Sequence, residues 1–342
     1  MTQTTDYRVN DWPHASGQST ANVIIRSQPA DFHVEETLGF QLSEEGEHVY
    51  VLVEKIGQNT TTIAERLAKF AQVNPRSIGY AGLKDRNAIT RQWFSVQLPT
   101  VSKSDWEQIN TDDLTVLEVS RHHKKLRKGA LKHNFFKLIL REVKGDRSKI
   151  ESKLDWIRNH GVPNYFGPQR FGRYGDNVHQ AVAWLDGSKK PRGRHLKGLY
   201  LSSLRSFLFN EILANRVRNQ VWNKGVSGDV LMLNGSNACF LAADLTDDLH
   251  QRLEQQDIHP AGTLYGEGGL DCTGEASNFE QQILKQYPEL VTGLESIRMK
   301  KSWRAMRLLV ANLQWQWKEE SVLSVSFGLP PGSYATSVLA EL

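Results

Sequence analysis

The sequence has little cysteine and no long apolar run, and these absences exclude several classes of protein. Two cysteines among 342 residues, Cys239 and Cys272, exclude a disulfide framework, a cysteine-ligated zinc finger and an iron–sulfur cluster. They fit the reducing cytoplasm, where we expect the protein. No apolar run approaches the ~18 residues of a membrane-spanning helix, so no membrane association is expected. Residues 1–14 are polar, and we therefore expect no secretory signal.

The apolar residues that are present suffice for folded cores. Hydrophobic residues make up 39% of the chain and charged residues 23%, and the mean hydropathy is −0.48. This composition is typical of a globular chain rather than a disordered one. At roughly 150 residues per domain, the length predicts about two domains.

Charge is nearly balanced overall but unevenly distributed. Lysine and arginine number 42 against 38 acids, a net charge of +4. Many of these cations fall in three acid-free clusters: Arg121, Lys124, Lys125, Arg127, Lys128 and Lys132; Lys189, Lys190, Arg192, Arg194 and Lys197; Arg298, Lys300, Lys301, Arg304 and Arg307. Any one cluster could be a solvated face. Three together favour a polyanion, since each cation placed on a phosphate releases counterions.

Hydrophobic periodicity places strands at both ends of the chain and helices in the middle. Alternating apolar residues predict strands around residues 50–53, 94–98, 136–140, 309–317 and 323–327. Helical spacing begins near residue 148 and returns over residues 201–221, with a hairpin at 230–241. We therefore predict an α+β fold whose sequence is split by a second domain, inserted between about residues 155 and 303.

The most informative stretch runs from Gly79 to Gln92 and contains one carboxylate, Asp85. It lies between Lys84 and Arg86, whose positive charge favours its ionised form. A carboxylate can act as a nucleophile or base in glycosidic chemistry, although glycoside hydrolysis usually takes a pair of acids. The single acid argues against an ordinary glycosidase. The alternative is an exposed turn aspartate that pairs locally.

Five ordered stretches resemble the motifs of the tRNA pseudouridine synthase D family. They are Asp31-Phe32 with Val34-Glu35-Glu36; Ala81-Gly82-Leu83-Lys84-Asp85-Arg86 with Ala88, Thr90 and Gln92; Lys125-Leu126-Arg127-Lys128-Gly129-Ala130-Leu131 with Asn134 and Phe136; Pro163-Asn164-Tyr165-Phe166-Gly167 with Gln169-Arg170-Phe171-Gly172; and Leu329-Pro330 with Gly332-Ser333-Tyr334-Ala335-Thr336-Ser337. They span residues 31–337. Five motifs in order are a far more specific signal than a single glycine pattern.

The resemblance implies both a fold and a reaction. It implies a catalytic domain of pseudouridine synthase type with a mixed β-sheet, over residues 1–154 and 304–342. A family-specific α/β domain, the TruD domain, would occupy residues 155–303. The implied reaction converts the uridine at position 13 in the D arm of tRNA to pseudouridine without a cofactor or metal. The implied partner is tRNA; no protein partner is implied, and we expect a monomer.

The resemblance also assigns site residues by motif. Asp85 is the implied catalytic residue, acting near C1′ of the ribose either as a nucleophile or as a base on the sugar. The implied substrate-binding residues are Arg26, Phe32, Asn134, Phe136 and Tyr334, and the implied RNA-binding residues are Lys124, Lys125, Arg127 and Lys128. Arg26 stands where the family usually has Lys, and Tyr334 where it usually has Phe. Arg26 would still supply a cation beside Asp85, with a planar fork in place of a point charge.

These residues also have structural interpretations. Phe32 and Phe136 could be core aromatics, and Asn134 could close a turn before a strand. Two other functions fit parts of the pattern. One is a non-catalytic RNA-binding protein that keeps the scaffold, which the presence of Asp85 disfavours. The other is a hydrolase of N-glycosidic bonds, which would release free uracil.

Overall fold

The computed structural model describes residues 7–9, 11–98, 105–172, 174–268 and 271–342. These described residues form fifteen strands: β1 (Ala21–Ile24), β2 (Phe32–Leu38), β3 (His48–Ile56), β4 (Ile78–Tyr80), β5 (Ile89–Gln97), β6 (Leu114–His122), β7 (Leu131–Gly145), β8 (Val162–Pro163), β9 (Asp229–Leu233), β10 (Cys239–Ala242), β11 (Ile258–Leu264), β12 (Ser302–Ala305), β13 (Arg307–Leu308), β14 (Ala311–Glu319) and β15 (Val322–Leu329). They also form eight α-helices: α1 (Thr60–Phe70), α2 (Arg147–His160), α3 (Asn177–Leu185), α4 (Gly193–Arg218), α5 (Asp247–Glu254), α6 (Gly274–Leu284), α7 (Pro288–Ser296) and α8 (Ala335–Leu339). None of these helices has the length and apolar character needed to cross a membrane.

The contacts within the chain divide it into two compact units. The sheet unit comprises Thr20–Leu154 and Val310–Gly332. The helical unit comprises Asp155–Leu309, the C-terminal segment Ser333–Leu342 and the described part of the first 19 residues. The expected domain boundaries remain a prediction. The division by contacts differs from them in the described residues before Thr20, in residues 304–309 and in Ser333–Leu342, all of which belong to the helical unit.

The sheet unit is built on a nine-stranded mixed sheet. The main path runs β14-β15-β7-β2-β5-β3-β6, while β1 pairs with β7 and β4 pairs with β5. The β2–β5 pair is parallel and the other pairs are antiparallel. A parallel pair needs a crossover connection. Helix α1 lies in that connection, and its Ile63 and Leu67 pack against Val51 and Phe94 of the sheet. The predicted α+β fold with a mixed sheet is confirmed.

The register of the sheet gathers several polar side chains on one face. Glu36 of β2 lies opposite Asn134 of β7, two positions along from the pair of Val34 with Phe136. Val34 also lies beside Thr90 of the parallel strand β5. Directly paired residues project to the same side of a sheet, and so do residues two apart on one strand.

Strand β3 adds one more polar residue to this face. Lys55 lies opposite Thr90, and Val53 lies opposite Gln92. Both Lys55 and Gln92 are fully buried. The sheet therefore buries charged and amide groups where an apolar stripe would ordinarily continue.

The helical unit is organised around the 26-residue helix α4. Its core includes Leu208, Phe209 and Ile212, all fully buried, and residues from α3, α6 and α7 pack around it. A four-stranded antiparallel sheet in the order β10-β9-β11-β12 completes the unit. This arrangement agrees with the helices predicted in the middle of the chain and with the predicted hairpin near residues 230–241.

The helical unit also contains a buried cluster of charged groups. Arg216 on α4 donates both Nη groups to the carboxylate of Asp229 on β9, and both side chains are buried. Glu280 on α6 is buried beside them, and its Oε1 accepts a hydrogen bond from the backbone nitrogen of Thr263 at 3.2 Å. Its Oε2 has no hydrogen-bond partner among the described residues. Burial raises the pKa of Glu280 to about 7, with a smaller rise from Asp229 and a lowering by Arg216.

We predict that Glu280→Gln removes a pH dependence of stability. Between pH 4.5 and about 7 the unfolded glutamate loses its proton while the folded one keeps it, so the folded state loses stability as the pH rises. Gln mimics the neutral acid at every pH. The difference in free energy of unfolding, variant minus wild type, should therefore increase by on the order of 3 kcal/mol from pH 4 to pH 8.

The measurement is the free energy of unfolding from denaturant titrations at both pH values. Glu254→Gln, at an exposed position of α5, is the matched control and should follow the wild type. An identical pH dependence in wild type and Glu280→Gln would contradict the prediction.

Candidate active site

Buried side chains hold the loop of residues 81–88 between β4 and β5. Gln92, on the following strand, donates from Nε2 to the carbonyl oxygen of Gly82 at 2.7 Å. Thr60, the first residue of α1, accepts the backbone N–H of Lys84 at 2.9 Å and donates to Gln92 Oε1 at 3.0 Å. Because Thr60 and Gln92 are both buried, these contacts exclude water and fix the path of the loop.

Lys55, a buried residue of β3, also holds this loop. Its Nζ donates to the carbonyl oxygen of Asp85 at 3.0 Å and to that of Gln58 at 2.7 Å. The residue is fully buried. Burial lowers the pKa of Lys55 to about 8, against a smaller opposing effect from the negative charge of Asp85. The backbone at Asp85 is therefore anchored, which leaves its side chain as the group that the loop presents.

The carboxylate of Asp85 is half exposed and contacts one cation. Its Oδ2 accepts a hydrogen bond from Arg26 Nη2 at 2.8 Å, and its side chain is 49% exposed. Its Oδ1 makes no hydrogen bond within the described residues. Neither sequence neighbour contacts the carboxylate: Arg86 Nε donates to the carbonyl oxygen of Gly57, and Lys84 turns inward. The charged partner of Asp85 thus comes from a distant part of the chain.

Arg26 rests on an aromatic ring. Its guanidinium carbon lies 4.1 Å from the ring centroid of Phe32, within the range of a cation–π contact. Phe32 is 3% exposed and meets Phe136 edge to face, with centroids 6.1 Å apart. Phe136 in turn stacks on Phe327 at 5.5 Å. Phe32 and Phe136 are therefore core aromatics, and Phe32 is also the support of the arginine that contacts Asp85.

Asn134 is held by an ion pair beneath the loop. Its Oδ1 accepts a hydrogen bond from Lys84 Nζ at 2.7 Å. The same ammonium lies 2.8 Å from Glu36 Oε1, and Glu36 Oε2 accepts the backbone N–H of Trp93 at 3.0 Å. Burial raises the pKa of Glu36, while the charge and hydrogen bond of Lys84 lower it. Asn134 lies within the strand β7, so the interpretation that it closes a turn is wrong.

Comparison with known proteins identifies the family. A family model described as tRNA pseudouridine synthase D (TruD) matches residues 9–185 and 191–342. A tRNA pseudouridine synthase D from Hydrogenovibrio crunogenus is 44% identical over 328 residues, which cover 96% of this chain and 94% of the relative. One from Methylococcus capsulatus is 44% identical over 333 residues, which cover 97% and 94%. The chain belongs to the tRNA pseudouridine synthase D family.

A solved structure agrees with this family in its fold. The crystal structure of a protein assigned as tRNA pseudouridine synthase D from Methanosarcina mazei matches with a TM-score of 0.75 at 22% identity. The match covers 98% of this chain and 96% of that chain. The pseudouridine synthase fold implied by the sequence motifs is thereby confirmed.

One residue expected in the site, Tyr334, belongs to the helical unit. Its ring meets Phe166 edge to face, with centroids 6.2 Å apart, and its hydroxyl accepts a hydrogen bond from Arg170 Nε at 3.2 Å. Phe166 and Arg170 come from another stretch that matches the family motifs. The hydroxyl that distinguishes this tyrosine from the usual phenylalanine of the family thus has a partner. Its place in the substrate pocket remains a prediction.

The basic segment, residues 123–130 between β6 and β7, lies against the Asp85 loop. Gly129 donates its backbone N–H to the carbonyl oxygen of Ala81 at 2.9 Å. Leu126 is buried, and its backbone N–H donates to Ser95 Oγ at 2.9 Å. The four basic side chains expected to bind RNA are Lys124, Lys125, Arg127 and Lys128, and none forms an ion pair with a described residue. Their positive charge therefore lies beside the loop that carries the candidate catalytic carboxylate.

Two residues that hold the Asp85 loop, Lys55 and Thr60, lie outside the motifs. Lys55 continues the apolar alternation of Val51 and Val53 along β3 and so occupies a core-facing position. A lysine at a core-facing position of a strand is a signal that could have been used, because buried lysines require partners. Thr60 gives no such signal, since threonine at the start of a helix is common. No group of His, Cys, Asp and Glu in the described ranges has an arrangement suited to a metal ion.

We predict that Phe32→Ala destabilises the protein and releases Arg26. Removing a buried phenylalanine typically costs ~3–5 kcal/mol, because the cavity adds to the lost apolar burial. The denaturant midpoint should fall accordingly. Phe32→Leu keeps most of the volume and should cost less, so it is the matched control. A Phe32→Ala variant with wild-type stability would show that the ring does not belong to the core.

Proposed function

We propose that this chain converts the uridine at position 13 in the D arm of tRNA to pseudouridine, with Asp85 as the catalytic residue and no cofactor. The observation that carries the proposal is the geometry of Asp85 in a member of this family. Its backbone is anchored, one carboxylate oxygen contacts Arg26 at 2.8 Å, and the side chain is 49% exposed. Such a group is both preorganised and accessible to a substrate.

The reaction needs little more than one positioned carboxylate. Uracil must be detached from C1′ of its ribose, turned, and rejoined through C5. No electron is gained or lost overall, and the group that leaves is the group that returns. Asp85 acts near C1′ as a nucleophile or as a base on the sugar, and Arg26 compensates its negative charge on the side that faces the protein.

The residues around Asp85 are suited to an extruded base. A uridine inside a folded tRNA has to leave its stack to reach the carboxylate. We assign substrate binding to Arg26, Phe32, Asn134, Phe136 and Tyr334. Phe32 and Phe136 would contribute from the core, since Phe32 supports the guanidinium of Arg26 and Phe136 packs against Phe32. Asn134 offers its amide to the uracil. Tyr334, which belongs to the helical unit, is assigned by its family motif alone, and an aromatic side chain of this kind can stack on a flipped base.

The basic segment supplies affinity for the tRNA backbone. Its cations lie beside the Asp85 loop, where they can contact phosphates that flank the target nucleotide. Phosphate contacts fix register and orientation but carry little sequence information. Of the two other basic clusters, the one at residues 189–197 has exposed cations. The expectation that residues 298–307 form a third such surface is corrected by the structure: Arg307 is buried, Arg304 hydrogen-bonds to Asn164, and Lys301 forms an ion pair with Asp271. We place the enzyme in the cytoplasm, working on tRNA as a monomer without a protein partner.

We predict that Asp85→Asn abolishes pseudouridine formation while tRNA still binds. Asparagine keeps the size of the side chain but is neither a nucleophile nor a base. The measurement is tritium release from tRNA labelled at uracil C5, since forming pseudouridine displaces that hydrogen. Dissociation constants for tRNA should stay within a few-fold of wild type, because most of the affinity comes from contacts between other side chains and the phosphates.

Asp113→Asn serves as the control for this experiment. Asp113 is a carboxylate of the same unit that pairs with Arg66, and its replacement should leave tritium release unchanged. Near wild-type release by Asp85→Asn would contradict the catalytic assignment. A wild-type enzyme that binds tRNA without releasing tritium would favour a non-catalytic RNA-binding protein, and release of free uracil would favour a hydrolase.

We also predict that replacing Lys124, Lys125, Arg127 and Lys128 together with Ala weakens tRNA binding and flattens its salt dependence. The slope of log affinity against log salt should fall by about 0.9 for each duplex phosphate that the variant no longer neutralises. Fluorescence anisotropy at several salt concentrations measures this slope. Four exposed lysines outside the clusters provide a charge-matched control: Lys69, Lys144, Lys149 and Lys318. An unchanged slope in the first variant would make the basic segment a solvated face.

A further inference from the structure

The contact between Lys84 and Asn134 fixes which way the amide of Asn134 points. A lysine ammonium carries three donors and no acceptor, so the amide atom that faces it must be the oxygen. The 2.7 Å distance from Nζ to Oδ1 therefore settles an orientation that is usually ambiguous for asparagine. The Nδ2 group, with its two N–H donors, faces away from Lys84. It has no hydrogen-bond partner among the described residues.

Buried groups hold Lys84 in this position. Its side chain is 9% exposed and that of Glu36 is 0% exposed, with 2.8 Å between Nζ and Oε1. The backbone N–H of Lys84 is fixed in addition by Thr60. A buried ion pair adds little net stability, because desolvating two charges offsets their attraction. The ion pair between Lys84 and Glu36 is therefore better explained by the group that the Lys84 ammonium orients, the amide of Asn134.

Asn134 is joined by a hydrogen bond to the loop that carries the candidate catalytic carboxylate. It is 9% exposed and is bonded to Lys84, the residue immediately before Asp85 in the chain. Uracil offers two carbonyl oxygens, O2 and O4, as acceptors and one N–H as a donor. An amide free to rotate could face either kind of group. An amide whose oxygen is held by Lys84 can offer only N–H donors, and these suit the carbonyl oxygens.

We propose that Lys84 is a positioning residue that fixes Asn134 as a hydrogen-bond donor to a carbonyl oxygen of the target uracil. The inference rests on the proposed function and adds a specificity element to that site. A site built to bond a particular polar group discriminates strongly against an analogue that cannot make the bond. Lys84 thus determines recognition of the base without touching it.

The test compares uridine with its thio analogues at the target position of tRNA. Sulfur is a weak hydrogen-bond acceptor, so 2-thiouridine and 4-thiouridine probe O2 and O4 separately. Single-turnover conversion is followed by chromatography of the nucleosides after digestion. In the wild type, one of the two analogues should react about tenfold more slowly than uridine, and that analogue identifies the carbonyl oxygen.

Lys84→Met should lower the rate with uridine about tenfold or more and bring the ratio of uridine to thio-analogue rates close to one. Affinity for tRNA should remain near that of the wild type. Lys84→Arg retains a donor-only cation and should restore part of both the rate and the ratio. Glu36→Gln retains the contact between Lys84 and Asn134 and should keep the wild-type ratio.

A second variant separates orientation from folding. Lys84→Met alone leaves the Glu36 carboxylate buried without its cation, which destabilises the loop. The double variant Lys84→Met/Glu36→Gln replaces both charges with neutral groups of similar size. It should regain thermal stability yet keep a thio ratio near one. A purely structural role would restore the ratio together with the stability.

The possible outcomes distinguish a failure of this inference from a failure of the proposed function. Pseudouridine formation with the same thio ratio in the wild type and in every Lys84 variant contradicts the inference and leaves the function intact. Wild-type conversion with no preference for uridine over either analogue also contradicts it. No pseudouridine from the wild type with any substrate contradicts the proposed function itself.

Discussion

The buried carboxylate of Glu36 constrains the arrangement of the candidate site. A charge taken out of water must be paired and hydrogen-bonded, or the fold loses several kcal/mol of stability, on the order of 3–5. Glu36 meets this requirement through Lys84 and through the backbone N–H of Trp93. Because Lys84 immediately precedes Asp85, satisfying Glu36 also fixes the loop that presents the candidate catalytic group. The ion pair of Glu36 with Lys84, the Asp85 loop and the strand β5 therefore depend on one another structurally.

The cations around the loop have different tasks. Lys55 holds the carbonyl oxygen of Asp85, Lys84 holds the amide of Asn134, and Arg26 contacts the carboxylate of Asp85. Two of them are buried and anchor the backbone or a neighbour, while Arg26 is partly exposed and lies over Phe32. This division keeps the backbone rigid while the carboxylate stays open to solvent. Catalytic groups held this way lose little entropy when a substrate arrives.

Local sequence patterns predicted the strands better than they predicted which strands pair. Alternation found the strands that contain Phe94, Phe136 and Val325, but the strand expected from Leu309 begins at Ala311. Asn312 has a φ of +52°, and the register is irregular between Ala311 and Gln314, which alternation cannot show. The motif singled out Asp85 and the resemblance singled out Arg26, and the structure brings these two side chains into contact. The roles of Lys55 and Lys84 depend on which strands pair, and β2, β5 and β7 are far apart in the chain.

Mapping pseudouridine on the tRNA is the decisive test of the proposed function. The purified chain is incubated with an unmodified tRNA transcript that has uridine at position 13, in buffer containing a chelator and no added cofactor. Pseudouridine is then located by carbodiimide labelling and primer extension. We expect one new stop in primer extension, corresponding to position 13 in the D arm. A transcript without pseudouridine, or with pseudouridine elsewhere while the uridine at position 13 is unchanged, would contradict it.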